Sequence, residues 1–168
     1  DSYRDINASG QSGSSGGTGL SSKEMTGDRA INNMDGFDFD HVWQNVSCYP
    51  RLDWETVEQQ DLPWSGCGEG NIPYEISSCQ ELRAINQEGI YDVSYQLVNS
   101  LSCGESSFQP IAEGAQFSGV FDGDGNKIAN LDIDSGSNSA LFSETSSSAV
   151  IRAVQLADIN VQGGYYTG

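Results

Sequence analysis

The sequence predicts an all-β chain built as a stacked solenoid, and three observations carry that expectation. The stretch Ile128–Asp134, IANLDID, recurs 23 residues later as Ile151–Ala157, IRAVQLA, with Ile128, Leu131 and Ile133 falling on Ile151, Val154 and Leu156. A unit of that length is too short to bury its own apolar face, so neighbouring units must cover one another. Glycine, serine, asparagine and aspartate are abundant and lysine is scarce, a balance closer to secreted repeat proteins than to cytosolic enzymes. From Tyr95 onward, short apolar segments alternate with turn residues and no helical period intervenes.

Taken in chain order, residues 8–19, ASGQSGSSGGTG, read as a flexible loop, because they hold no side chains able to build a core. Ser21 and Glu24 make a capping box, and Leu20 ahead of Met25 a hydrophobic staple, for a short helix near 22–33 that Gly36 would stop. The aromatic segment FDFDHVWQNVSCYPRLDW follows, its apolar residues alternating irregularly until Pro50 ends any regular pairing. Residues 55–74 are acidic and polar, with Pro63, Pro73 and three glycines, the composition of a linker. A second start comes at Tyr74–Ile76, a short strand, after which Ser78 and Glu81 cap a helix near 79–88 that Gly89 ends. Leu82 and Ile85 form its apolar stripe, suited to covering the first open coil of a solenoid. The strands beyond it are placed near 95–98, 117–121, 127–133, 140–142 and 150–161, with YYT last. The glycine-rich turn DGDGN supplies positive φ between Phe117–Asp122 and Lys127–Ile133.

The formal charge is −17, from 24 acidic residues against seven basic ones. Such a surface repels a phosphate backbone, and no basic stripe offsets it, so nucleic-acid binding is excluded. No apolar run is long enough for a membrane span. The chain begins with Asp1 and no signal-like segment follows, which reads as a mature or internal piece of a longer precursor. Cys48, Cys67, Cys79 and Cys103 are spaced 19, 12 and 24 residues apart. This is neither a CxxC nor a His-paired pattern, so two disulfides fit better than zinc, with three pairings open from spacing.

Four stretches together, YEISSCQELRAINQEGIYDVSYQLVNSLSC, FQPIAEGAQFSGVFDGDGNKIANLDID, SALFSE and AVIRAVQLADINVQGG, resemble the start of the GLUG-motif, filamentous-haemagglutinin-like β-helices of large bacterial surface adhesins. FSGVFDGDGNKIANL is the diagnostic run. The earlier stretch, SGQSGSSGGTGLSSKEM with FDFDHVWQNVSCYPRLDW, resembles the tail that closes such a β-helix. The resemblance implies a right-handed parallel β-helix fragment with short capping helices. Residues 1–54 would be the closing tail of one module, 55–74 a linker, and 75–168 the capping helix and first coils of the next. It also implies the pairs Cys79–Cys103 and Cys48–Cys67, each worth roughly 3 kcal/mol in the chain-entropy picture. Two departures stand out. Ala140-Leu141-Phe142-Ser143 replaces a glycine-bearing motif, and Val98–Cys103 replaces an acidic strand, so an acidic ligand expected there is missing.

Few residues are placed for chemistry. Asp122, Asp124 and Asn126 have the D-x-D-x-N spacing that opens a calcium loop, but Lys127 stands where glycine is required and Ile133 where a bidentate glutamate belongs. They are a weak Ca²⁺ candidate beside the plainer reading of a turn. Asp132 and Asp134 flank Ile133 as a solvated strand face. His41 is the lone histidine, which rules out a two-histidine relay within these residues and reads as a loop residue beside an aromatic core. Paired carboxylates for glycoside cleavage are guaranteed by abundance and mark no site. Lyases on this fold lean on basic residues, and Arg152 is the sole arginine within the rungs. Trp43, Trp54, Trp64, Tyr49, Tyr165 and Tyr166 are able to stack on sugars, although sealing the module ends is the simpler role. Asn7-Ala8-Ser9 and Asn45-Val46-Ser47 match the glycan acceptor pattern, which in a bacterial protein carries little weight.

The sequence thus points to a non-catalytic, extracellular β-solenoid module of a bacterial cell-surface adhesin or self-assembling fibre, partnered by copies of itself or adjacent repeats and by cell-surface glycans. The alternative is a carbohydrate-binding or carbohydrate-active β-helix, of lyase or hydrolase type.

Overall fold

Residues Tyr3–Asp5 form strand β1, and the Asp5 carboxylate then caps helix α1 (Ile6–Ser9) by accepting from the backbone N–H groups of Asn7 and Ala8, both at 2.8 Å. Gly10, at φ 65°, ends it. Strand β2 (Thr18–Leu20) lies parallel to β1, with Tyr3 beside Thr18 and Asp5 beside Leu20. The loop expected over 8–19 therefore has structure at both ends, because the ladder partner is Tyr3–Asp5, which no local composition reveals. The computed structural model describes residues 2–13, 16–55, 62–104 and 106–167. The chain divides into two units, Asp1–Ile72 and Pro73–Gly168.

In the first unit the capping box forms as the sequence dictates. Ser21 Oγ accepts from Glu24 N, and the Glu24 carboxylate accepts from Ser21 N at 2.7 Å. These hydrogen bonds from the Ser21 backbone and hydroxyl hold the Glu24 carboxyl below its ordinary range. The helix expected over 22–33 is instead a 3-10 turn, Ser22–Met25, followed by α2 (Asp28–Asn33). The break is at Gly27, whose φ of 57° takes the chain out of the helix while its N–H donates to Cys48 O at 3.1 Å. Met25, Ala30 and Met34 form a buried cluster, flanked by Tyr3, Leu20, Phe37, Phe39 and Tyr49. Phe37 stacks on Trp43 with centroids 4.2 Å apart. Strands β3 (Trp43–Gln44) and β4 (Arg51–Leu52) pair antiparallel around Pro50, so the proline sits in the turn and does not end the pairing.

Residues 62–72 fall within the expected linker, yet they pack into this unit. Trp64 is 1% exposed and Ile72 2%. Gly66 N donates to Ser47 O, Cys67 N to Ile72 O, and Cys67 is bonded to Cys48. Burying the Trp64 ring outweighs the polar, glycine-rich composition around it.

The second unit begins with β5 (Tyr74–Ile76) and α3 (Cys79–Glu88). Ser78 Oγ accepts from Glu81 N, the Glu81 carboxylate accepts from Ser77 N at 2.6 Å, and Gly89, at φ 66°, closes the helix by donating to Ile85 O. Then follow β6 (Ser94–Leu97), β7 (Leu101–Ser102), β8 (Val120–Asp122), β9 (Lys127–Ala129), β10 (Asp132–Ser139), β11 (Val150–Arg152), β12 (Gln155–Ala157) and β13 (Asn160–Thr167). Every pairing among them is parallel. One sheet has the order β11-β8-β6-β5, a second β12-β9-β7 and a third β10-β13. The chain is thus rich in strand with few, short helices.

The repeat in this unit is not the 23-residue echo. Arg152 stands beside Asp122 and Asn160 beside Asp132, separations of 30 and 28 residues. Leu156 stands beside Ile128, where the echo would place Ile151. What recurs is a smaller element, a three-residue strand and a two-residue corner leading into the next strand: β9 to β10 through Asn130-Leu131, and β11 to β12 through Ala153-Val154. Asn130 and Ala153 both hold positive φ, 58° and 53°. The separation shortens from 30 to 28 because four residues, 123–126, join β8 to β9 while two join β11 to β12.

Candidate functional site

The second unit presents three surfaces able to act: its interior columns and the last described coil, the polar side chains that tie coil to coil, and a groove beside α3. Inside, Tyr74, Tyr95, Phe121 and Ile151 occupy one register column, and Leu101, Ile128 and Leu156 another. Tyr95, Phe121 and Ile128 are fully buried. Burial drives the Tyr95 hydroxyl well above its usual pKa, and it donates to Ile90 O at 2.8 Å. Phe142 packs against both Phe117 and Phe121 at 5.0 and 5.3 Å. At the α3 end Leu82, Ala84 and Ile85 are buried, whereas Val150, Ile151 and Leu156 are 42%, 43% and 51% exposed.

The run FSGVFDGDGN is where coils approach most closely. A Cβ on Gly119 would lie 1.9 Å from Val93 O, and one on Gly123 2.4 Å from Ala153 O. Each glycine leaves room for the hydrogen bonds that join the coils: Gly119 N to Tyr91 O, Val120 N to Val93 O, and Gly123 N to Arg152 O. A side chain at either position would wedge two coils apart.

Polar side chains reach across the same gaps. Asn99 Nδ2 donates to Ser77 O, Asn126 Nδ2 to Leu97 O, Asn130 Nδ2 to Ser102 Oγ, and Asn160 Nδ2 to Asp132 Oδ1. Arg152 Nε donates to Asp122 Oδ2 at 2.8 Å. The Asp122 carboxyl is held below its ordinary range first by the N–H of Asp124, with Arg152 adding to this against the opposing effect of burial.

Two residues of the D-x-D-x-N run take part in those bonds through their side chains. Asp122 faces Arg152 and the Asp124 N–H, and Asn126 turns its amide Nδ2 toward Leu97 O. Among the described residues no three His, Cys, Asp or Glu side chains cluster as a metal site. Asp132 and Asp134 are exposed on either side of buried Ile133. His41 is a surface residue whose Nδ1 lies 3.4 Å from Asp38.

The aromatic candidates separate by environment. Trp64 is buried, Trp43 lies on Phe37, and Trp54 is 69% exposed. Tyr49 donates to Asp5, and burial, reinforced by that bond, pushes its hydroxyl up to about 12. The side chains of Tyr165 and Tyr166 lie outside the described residues. Disulfides join Cys48 to Cys67 and Cys79 to Cys103, each within one unit, and such bonds form and persist in oxidising compartments. The second ties the first turn of α3 to the residue after β7.

Sequence reasoning did not single out the groove, a polar space of about 520 Å³ lined by Arg83, Asn86, Tyr91, Gln109 and Glu113 among others. Its central groups are already engaged in holding the 103–112 segment on α3. Arg83 donates to the carbonyls of Cys103 and Ser106, and Asn86 donates to Pro110 O and accepts from Ala112 N.

No family model matches the chain, and no solved structure matches it. An alignment of 121 positions that covers 62% of the chain shows 35% identity to halomucin of Haloquadratum walsbyi. The aligned part amounts to 1% of halomucin, so the chain spans a very small part of the relative it matches. No helix among the described residues is long and apolar enough to cross a membrane.

Proposed function

We propose that the chain is a structural module of a large extracellular surface protein, non-catalytic, whose second unit is the capped beginning of a right-handed parallel β-helix. The observation that carries this reading is the parallel pairing of the second unit's strands, in which β11, β8, β6 and β5 stand side by side while β12, β9 and β7 do the same. Backbone hydrogen bonds, apolar columns and polar ties then repeat along one axis and make a stiff rod. The two disulfides and the partial likeness to a very long relative fit a secreted array,. The GLUG-motif, filamentous-haemagglutinin-like kinship belongs to the same proposal, with Gly119 and Gly123 of its diagnostic run at the coil contacts.

The partner in this reading is another coil, supplied by an adjacent repeat or a second copy, seated on Val150, Ile151 and Leu156. Fibre diffraction and electron microscopy of the native particle test it. A rod with an axial repeat near 4.8 Å is the expected result, and a globular particle without that repeat would refute the proposal.

A further inference from the structure

Two Asn-x-Ser acceptor motifs lie in the first unit, and the fold treats them differently. Asn7 is exposed. Its carbonyl Oδ1 accepts from Ser22 N at 2.9 Å, and among the described residues no hydrogen bond is made by its Nδ2. Asn45 is half-buried, three residues before Cys48 of the Cys48–Cys67 bridge. Its Nδ2 donates to Asp28 Oδ1 at 2.9 Å, and its Oδ1 is buried.

We infer that Asn7 is a site of N-linked glycosylation and that Asn45 is not. The step is transfer from a lipid-linked oligosaccharide. The Asn7 Nδ2 bonds to the anomeric carbon, the bond from that carbon to the lipid phosphate breaks with its electron pair going to the phosphate oxygen, and one amide proton is lost to base. In the folded chain Ser9 Oγ donates to Asp5 O at 2.5 Å within α1, so the motif is open to a transferase only before the first unit folds. Folding then selects. A glycosylated Asn7 keeps its carbonyl oxygen and hence the bond from Ser22 N, with the sugar in solvent. A sugar on Asn45 would take the place of one Nδ2 hydrogen beside Asp28 and press on the half-buried chain three residues before Cys48. The inference concerns the first unit alone and shares with the proposed function only passage through a secretory route.

The test is secretion of the full 168-residue chain from a eukaryotic host with N-glycosylation, followed by isolation of monomer without free thiols. Enzymatic glycan release in ¹⁸O-water and peptide mass mapping then read each site. The expected result is ¹⁸O-labelled aspartate at position 7 in most molecules and unmodified asparagine at 45. S9A should abolish the label and S9T should retain it. If S9A is not secreted, N7Q gives the same loss while keeping a carboxamide oxygen for Ser22 N. An unlabelled Asn7, or a labelled Asn45 in the disulfide-intact monomer, overturns the inference.

Discussion

The two ends of the stacked unit carry the same kinds of residue in different circumstances. Under α3, Leu82 and Ile85 are fully buried; on the last described coil, Ile151 and Leu156 continue columns that are buried one coil earlier, yet lie 43% and 51% exposed. The difference comes from whether another layer stands over the column. Apolar burial scales with area removed from water, so a solenoid gains most of its stability per coil only when the next layer arrives. A capping helix replaces that layer at one end.

The sharpest way to break the comparison is Phe121→Ala, which removes a ring buried between coils and touched by Phe142; a loss of about 3–5 kcal/mol is expected. Denaturant melts followed by far-UV circular dichroism check it. All three tryptophans lie in the first unit, so their fluorescence should report a transition that does not move. Leu82→Ala, at the capped end, should cost about 2–5 kcal/mol, and Leu156→Ala, on the exposed coil, only about 0.5 kcal/mol. Equal losses from these two would contradict the contrast between the ends.

Next in size is the Cys79–Cys103 bond, which closes a separation of 24 residues at the capped end. Replacing both cysteines by serine should lower stability by about 3 kcal/mol and open α3 first, visible as faster amide exchange in 79–88 than in 120–129. The smallest effect belongs to the tie between the last two described coils. Arg152→Ala should cost about 0.2–1 kcal/mol, less at high salt, because the pair is partly exposed,. Asp122 titrates below its unfolded value. The contribution it makes is therefore full above roughly pH 5 and is lost as pH falls through about 4 and into its depressed range. Acid should loosen β11 in the wild type, and Arg152→Ala should weaken that dependence in amide exchange at 150–152.

Legibility in the sequence followed the range of the forces involved. The helix at 79–88 was readable to the residue, because Ser78, Glu81 and Gly89 act on their own neighbours. The break at Gly27 was not, since the carbonyl that holds it belongs to Cys48. A polar stretch hid the burial of Trp64. The 23-residue echo was a true recurrence of strand and corner, but it misplaced the partners, because the strands it relates, β9 and β11, belong to different sheets, and β9 pairs with β12, 28 residues on. The D-x-D-x-N run at 122–126 had the spacing of a calcium loop, but that spacing did not reveal that Asp122 accepts from Arg152 and the Asp124 N–H, or that Asn126 donates to Leu97 O. The groove beside α3 left no local signal, since Arg83 and Asn86 reach carbonyls some 20 residues away.

By itself the sequence determined what local chemistry can dictate: the strand-rich character, the capped helix, the glycine-bearing turn and the excess of acid. Tertiary structure alone decided which strand lies beside which, where the chain's glycines admit a neighbouring coil, and which of two Asn-x-Ser motifs keeps its asparagine exposed. Caps and turns are satisfied within a few residues, while the register of parallel coils is settled by backbone groups 28 to 30 residues apart, whose meeting depends on every corner in between.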